Sequence, residues 1–308
     1  VATTPARSSA ASNDFSRGLI AAAIAVSAWG TSSVIAKVLP QGAMVIAAYR
    51  FAAYFVILSL WRALRRRHLS WHALKHSLIG GVLLAADVAF FFTAIKLTAV
   101  VNATIIGALQ PIILTIYGVR FLGEKVRRAD ILLGAVALVG VIVIVVAGQN
   151  SGDANILGDL AALGALVSWS AYFVFAKRAD GVVSPADYTL AAALVVAVVN
   201  FPLAAAFGQS LAWPSLNDWM WLLAMALGAG IFGHQLMNWS IPRIPLWLSS
   251  TMTLLVPVIS SAIAWIFLSE PLNALQITGM FVTLVAIGSL VRAQSAPTMT
   301  SDAKAVTA

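Results

Sequence analysis

Three side chains that bind charge or move protons stand where charge is costly. Arg50 lies in AMVIAAYRFAAYFVILSLW, Asp87 in SLIGGVLLAADVAFFFTAIKL, and His234 in GAGIFGHQLMNW. An arginine offers a rigid fork of N–H donors that holds a carboxylate. An aspartate binds an ammonium group or a proton, and a histidine exchanges protons near neutral pH. Arginine or aspartate at the centre of an apolar helix costs about 2.5–3.5 kcal/mol on insertion scales, so each needs a partner or a wet cavity. If 43–61 and 77–97 are antiparallel helices, a 1.5 Å rise sets Arg50 about 10 Å and Asp87 about 15 Å from the same end. That is one turn of offset, within reach of an arginine. Two readings follow: a structural ion pair, or a division of labour in which Arg50 attracts a carboxylate and Asp87 takes an ammonium group or a proton.

Other polar and aromatic residues surround these three in the sequence. His234, Gln235, Asn238 and Trp239 follow a spacing that puts them on one helix face. Such a stripe faces the interior of a bundle, either to bind a ligand or to bond neighbouring helices. Trp29, Trp169, Tyr172, Phe90 and Phe91 can wall a site for a flat or cationic ligand, or can simply pack. Ser32, Ser33 and Asn102 supply hydrogen bonds to a ligand or between helices. His68, His72 and His76 are spaced by four in RRRHLSWHALKH. That spacing resembles a metal site, but the basic, tryptophan-containing setting reads as an amphipathic segment at an anionic lipid surface. No metal and no cofactor is expected.

These residues need elements to hold them. Apolar residues make up 61% of the chain and charged residues only 10%, too few to cover a soluble domain of 308 residues. Ten long apolar runs read as transmembrane helices: 18–38, 43–61, 77–97, 99–122, 131–147, 158–175, 188–207, 219–239, 246–268 and 275–291. Of 19 lysines and arginines, 16 fall on one side of these spans. The exceptions are Lys37, Lys96 and Arg50. The positive-inside rule therefore places both termini in the cytoplasm. The net charge of +8 belongs to these loops and does not indicate nucleic acid. Residues 1–17 and 293–308 read as disordered tails. GAGIFG at 228–233 matches a dinucleotide fingerprint but follows no strand. There is no cysteine, no P-loop, and no hydrolase or zinc-protease motif. An enzyme is not expected.

The chain repeats itself. Gly18–Lys37 and Gly158–Lys177 match at eight of twenty positions, including Trp29 with Trp169 and Lys37 with Lys177. Pro111 precedes Glu124 by the same 13 residues that separate Pro257 from Glu270. Five spans per copy is odd, so the second copy, 158–292, runs upside down relative to the first, 18–147, across an outer linker at 148–157. The fold class is an all-α integral membrane protein of ten helices in two inverted five-helix repeats. Inverted repeats give two states of similar energy, open to opposite sides around one central site. Pro111 and Pro257 each remove a backbone bond in mid-span and serve as hinges for this exchange or as static kinks.

Ten helices in two halves, Trp29-Gly30 in the first span, and a proline followed by a loop glutamate around spans 4 and 9 resemble the drug/metabolite transporter superfamily, in its EamA-type branch. The resemblance covers residues 18–292. Trp169-Ser170 departs from the Trp-Gly of the first copy, and Arg50 has no mate in the seventh span. The resemblance implies a secondary transporter in a bacterial inner membrane, exporting small amphipathic metabolites. Aromatic or neutral amino acids are the expected substrates, proton coupling is an option, and a quaternary-ammonium drug exporter is the alternative.

Overall fold

The computed structural model describes residues 5–98, 100–148, 155–269 and 271–295. The regular structure among them is helical throughout. Ten helices are long and apolar enough to cross a membrane. They are α1 (Pro5–Val38), α2 (Ala43–Leu64), α3 (Trp71–Leu97), α4 (Val100–Gly107, continued by Gln110–Phe121), α5 (Arg128–Ala147), α6 (Ile156–Arg178), α7 (Pro185–Ala206), α8 (Leu216–Ser240), α9 (Leu246–Met252, continued by Leu255–Leu268) and α10 (Ala274–Ser295).

Several ends differ from expectation for local reasons. Helix α1 begins at Pro5, so residues 5–17, expected in a disordered tail, are helical; a proline suits the first turn, where its missing N–H costs nothing. Helix α3 begins at Trp71 because the Ser70 hydroxyl accepts a bond from the Ala73 N–H at 3.1 Å. His72 and His76 therefore belong to a helix, with ring centroids 4.2 Å apart. Helix α10 runs on to Ser295, so 293–295, assigned to the tail, are helical. The expected tail beyond 295 and most of the expected linker lie outside the described residues, as does Glu270.

Three spans are not uniform α-helices. Proline cannot bond the carbonyl four residues back. For Pro111 and Pro257 those carbonyls belong to Gly107 and Thr253, and α4 and α9 break there. Across the two breaks, the Thr253 hydroxyl donates to Gln110 Oε1 at 3.2 Å. Helix α8 turns into a π-helix over Ala226–Gln235 and returns to α geometry at Leu236. Wide π turns are uncommon and often accompany function.

The packing repeats with the sequence. Helix α3 packs on α6 and α7, and its repeat-mate α8 packs on α1 and α2. Helices α2 with α7 and α5 with α10 pair with their own mates. This exchange of partners is what an approximate two-fold axis in the membrane plane produces. It brings the repeated positions on α1 and α6 together at the middle of the bundle.

Candidate functional site

Trp29 and Trp169 are the tryptophans of the repeated motif, and they meet. Their rings are 5.3 Å apart, edge to face at 68°. Tyr172, one turn beyond Trp169 on α6, stacks on it at 5.5 Å and 13°. His234 on α8 lies 5.3 Å from Trp29 and 5.3 Å from Phe51 of α2. Each such ring pair contributes about 0.5–1.5 kcal/mol beyond the area it buries. Gly233 makes the approach possible, since a Cβ there would stand 2.5 Å from Trp29 Nε1.

His234 is 5% exposed. Among the described residues neither of its ring nitrogens has a hydrogen-bond partner. Both nitrogens are therefore available as hydrogen-bonding groups. They line a narrow crevice with Arg50, Phe51, Tyr54, Met225 and Gly230. Arg50 Nη1 donates to Ser32 Oγ of α1 at 3.0 Å. The Arg50 guanidinium lies 4.8 Å from the Phe51 ring centroid and is electrostatically coupled to Asp87 on α3. Arg50 and Asp87 are both half-buried. Arg50 thus stands in the crevice wall beside Phe51 and Tyr54, and His234 links that wall to the Trp29 and Trp169 rings.

On the side of the crevice toward the arginine-rich loops, a neutral network continues. Asn238 Nδ2 donates to the Tyr172 hydroxyl at 2.6 Å and to Thr189 Oγ1 at 2.8 Å. The Tyr54 hydroxyl donates to Gln235 Oε1 at 3.2 Å. Tyr54, Phe51 and Thr189 were not singled out from the sequence. Tyr54 follows Arg50 by four and so shares its helix face, a signal that was available.

The remaining expected residues are more scattered. Trp239 lies beyond the cluster, its ring 3.6 Å under the Arg243 guanidinium. Phe90 is 44% exposed and lies against Gly164 of α6. Phe91 is half-buried on the next position of α3. The side chains of Ser33 and Asn102 lie outside the described set. Pro111 and Pro257 stand in the first turns after the breaks in α4 and α9, not in the crevice wall.

Comparison with known proteins agrees with this architecture. A solved crystal structure overlays with a TM-score of 0.75 at 19% identity, covering 91% of this chain and 98% of the other, and so shares the fold. The Bacillus subtilis transporter YyaM is 24% identical over 78% of this chain and 82% of its own length. The aromatic amino acid exporter YddG of Ancylobacter novellus is 28% identical over 49% of this chain and 52% of its own. The threonine/homoserine exporter RhtA of Escherichia coli K12 is 25% identical over 56% of each. The chain therefore spans about half the length of these two exporters. The model of the EamA-like transporter family matches twice, at residues 16–146 and 156–292. Two copies of that family's unit account for all ten helices, and the chain belongs to the EamA-like transporter family.

Proposed function

We propose that this protein is a secondary transporter that exports aromatic or neutral amino acids by alternating access. One observation carries the reading: Arg50, electrostatically linked to Asp87, lines a crevice with Phe51 and His234, and His234 in turn contacts the Trp29 and Trp169 rings where the two repeats meet. A free amino acid is a zwitterion, so it needs a cation for its carboxylate and an anion or aromatic face for its ammonium group. Arg50 supplies the first and Asp87 the second. Trp29, Trp169, Tyr172 and Phe51 then receive the side chain. Ser32 orients the Arg50 guanidinium, and His234 offers a hydrogen bond or a proton route that couples export to a gradient. The positive-inside rule favours the cytoplasm for the arginine-rich side, with both termini on the cytoplasmic face of a bacterial inner membrane.

The test is solute exchange in proteoliposomes. Vesicles loaded with phenylalanine or leucine should accumulate the labelled amino acid by counterflow, and empty vesicles should not. No saturable exchange across the twenty amino acids removes the substrate assignment and leaves the fold intact. A quaternary-ammonium exporter is the second reading, favoured by Asp87 beside aromatic rings. Asp87→Asn separates the two, because it abolishes transport of a permanent cation while leaving part of the neutral amino-acid flux.

A further inference from the structure

The side of the bundle that carries the arginine-rich loops is sealed by contacts of an unusual kind. Two charged side chains grip the backbone of the α8–α9 connection from outside it. Glu124 Oε1 accepts from the Leu246 N–H at 2.6 Å, and its Oε2 accepts from the Trp247 N–H at 3.3 Å. Lys177 Nζ donates to the carbonyls of Ile241 at 2.6 Å and Ile244 at 2.8 Å. The two grips hold a segment of seven residues, 241–247, at both ends. Glu124 reaches its position because Gly123 adopts a left-handed φ of 66° and turns the chain back after α4, a conformation that glycine takes without cost. Lys177 ends α6, the helix that carries Trp169 and Tyr172.

These bonds have the features of a releasable lock. They join elements that differ in their partners across the molecule: the second half of α4 packs closely on the first half of α9, whereas the mate of that pair, the first half of α4 against the second half of α9, makes no comparable contact among the described residues. Among the described residues α4 and α9 are therefore joined at one end and not comparably at the other. The bonds are also made to backbone atoms, which α9 keeps whatever direction it tilts. Beside the lock, Ala176, Ala179, Val183, Tyr188, Asn238 and Pro242 line a crevice, and Asn238 in its wall bonds Tyr172, which stacks on Trp169.

We infer that Glu124 and Lys177 are the gate of the arginine-rich side, holding the α8–α9 connection shut over the path to the central site and releasing it when that side opens. The inference rests on the alternating-access reading, but not on any particular substrate. Charge-assisted bonds give it a definite cost of opening, and removal of either charge lowers that cost. Neither residue touches the crevice that holds Arg50 and His234, so their role is to set which state is populated.

The natural chain has no cysteine, so a single reporter can be placed without background. Ala176→Cys puts a buried thiol in the crevice beside Asn238, on the membrane side of Lys177. In detergent-solubilised protein, a bulky, polar maleimide should label it slowly. Adding Glu124→Gln or Lys177→Met should raise the labelling rate at least about tenfold, the loss of charged hydrogen bonds being the cause, and Lys177→Arg should restore slow labelling. Equal rates in all four proteins, each monodisperse by gel filtration, overturn the gate. If the charge-removing variants do not fold, hydrogen exchange on the unsubstituted chain decides instead. The amides of Leu246 and Trp247 should then exchange far faster than buried amides in the middle of α10, and equal protection overturns the gate. Fast labelling without amino-acid flux preserves the gate and removes the substrate reading; flux with unchanged labelling does the reverse.

Discussion

Helices α3 and α8 hold matching places in the two repeats, yet they are built differently. Helix α3 is one unbroken α-helix of 27 residues and carries Asp87. Helix α8 widens into π turns over Ala226–Gln235 and carries His234 and, just beyond, Asn238. The same division holds elsewhere. The first copy contributes the ions, Arg50 and Asp87, on α2 and α3. The second contributes the stacked pair Trp169 and Tyr172 with His234 and Asn238, on α6 and α8, to which the first adds the rings of Trp29 and Phe51. Duplication set the architecture, and the two copies bring chemically different side chains to the shared centre. An amino acid, ionic at its backbone and variable at its side chain, has the same division.

This contrast can be broken from either copy. The largest effect should come from the ionic end. Arg50→Gln leaves Asp87 without its counter-charge and the substrate carboxylate without its donor. Losing a charged hydrogen-bond donor to the substrate carboxylate costs about 1.5–3 kcal/mol, so flux should fall at least about tenfold for every amino acid. Measured initial rates that differ between substrates would place Arg50 outside the shared ionic end. The aromatic end should discriminate instead. Trp169→Ala should raise the half-saturating concentration of phenylalanine about tenfold and leave that of alanine nearly unchanged; a uniform rise would make Trp169 a packing residue.

His234→Gln tests the link between the two ends with a smaller effect. It keeps a hydrogen-bonding group but cannot carry a proton at neutral pH. Downhill counterflow should persist within about threefold, whereas accumulation driven by an imposed pH gradient should vanish. Retained gradient-driven uptake would remove His234 from coupling. The least effect on flux should come from the scaffold. Gly140 on α5 faces α10, where a Cβ would stand 2.8 Å from the Gly279 carbonyl oxygen. Gly140→Val should destabilise the protein by about 1–3 kcal/mol through overpacking. Thermal unfolding should then begin several degrees lower, while flux per folded molecule stays the same.

Much of this molecule was legible in its residues because the membrane simplifies the grammar. A helix in hydrocarbon must satisfy its own backbone, so ten apolar runs translate directly into ten helices. The Trp29–Trp169 echo gave the pseudo-symmetry that brings those rings together. Interruptions were harder to read. Pro111 and Pro257 marked α4 and α9 for bending, but the break and the Gln110–Thr253 bond across it depend on how the two helices pack. The π turns of α8 have only GAGIFG as a sign, and small residues in a membrane helix signal close packing as often as irregular geometry. Glu124 and Lys177 were visible as repeated residues. Their partners were not, because a backbone N–H or carbonyl has no letter in the sequence. Trp239 shows the opposite limit: a helical-face argument put it with His234, while Arg243, four residues on, draws its ring to the end of the bundle.

The central claim is that Arg50 with Asp87, and the rings around His234, carry amino acids across the membrane. Counterflow of labelled phenylalanine in proteoliposomes, comparing the unsubstituted chain with Arg50→Gln, tests it most directly. The account predicts saturable accumulation that Arg50→Gln cuts at least about tenfold. Accumulation undiminished by the substitution, or none in the unsubstituted protein with phenylalanine or any other amino acid, would contradict it.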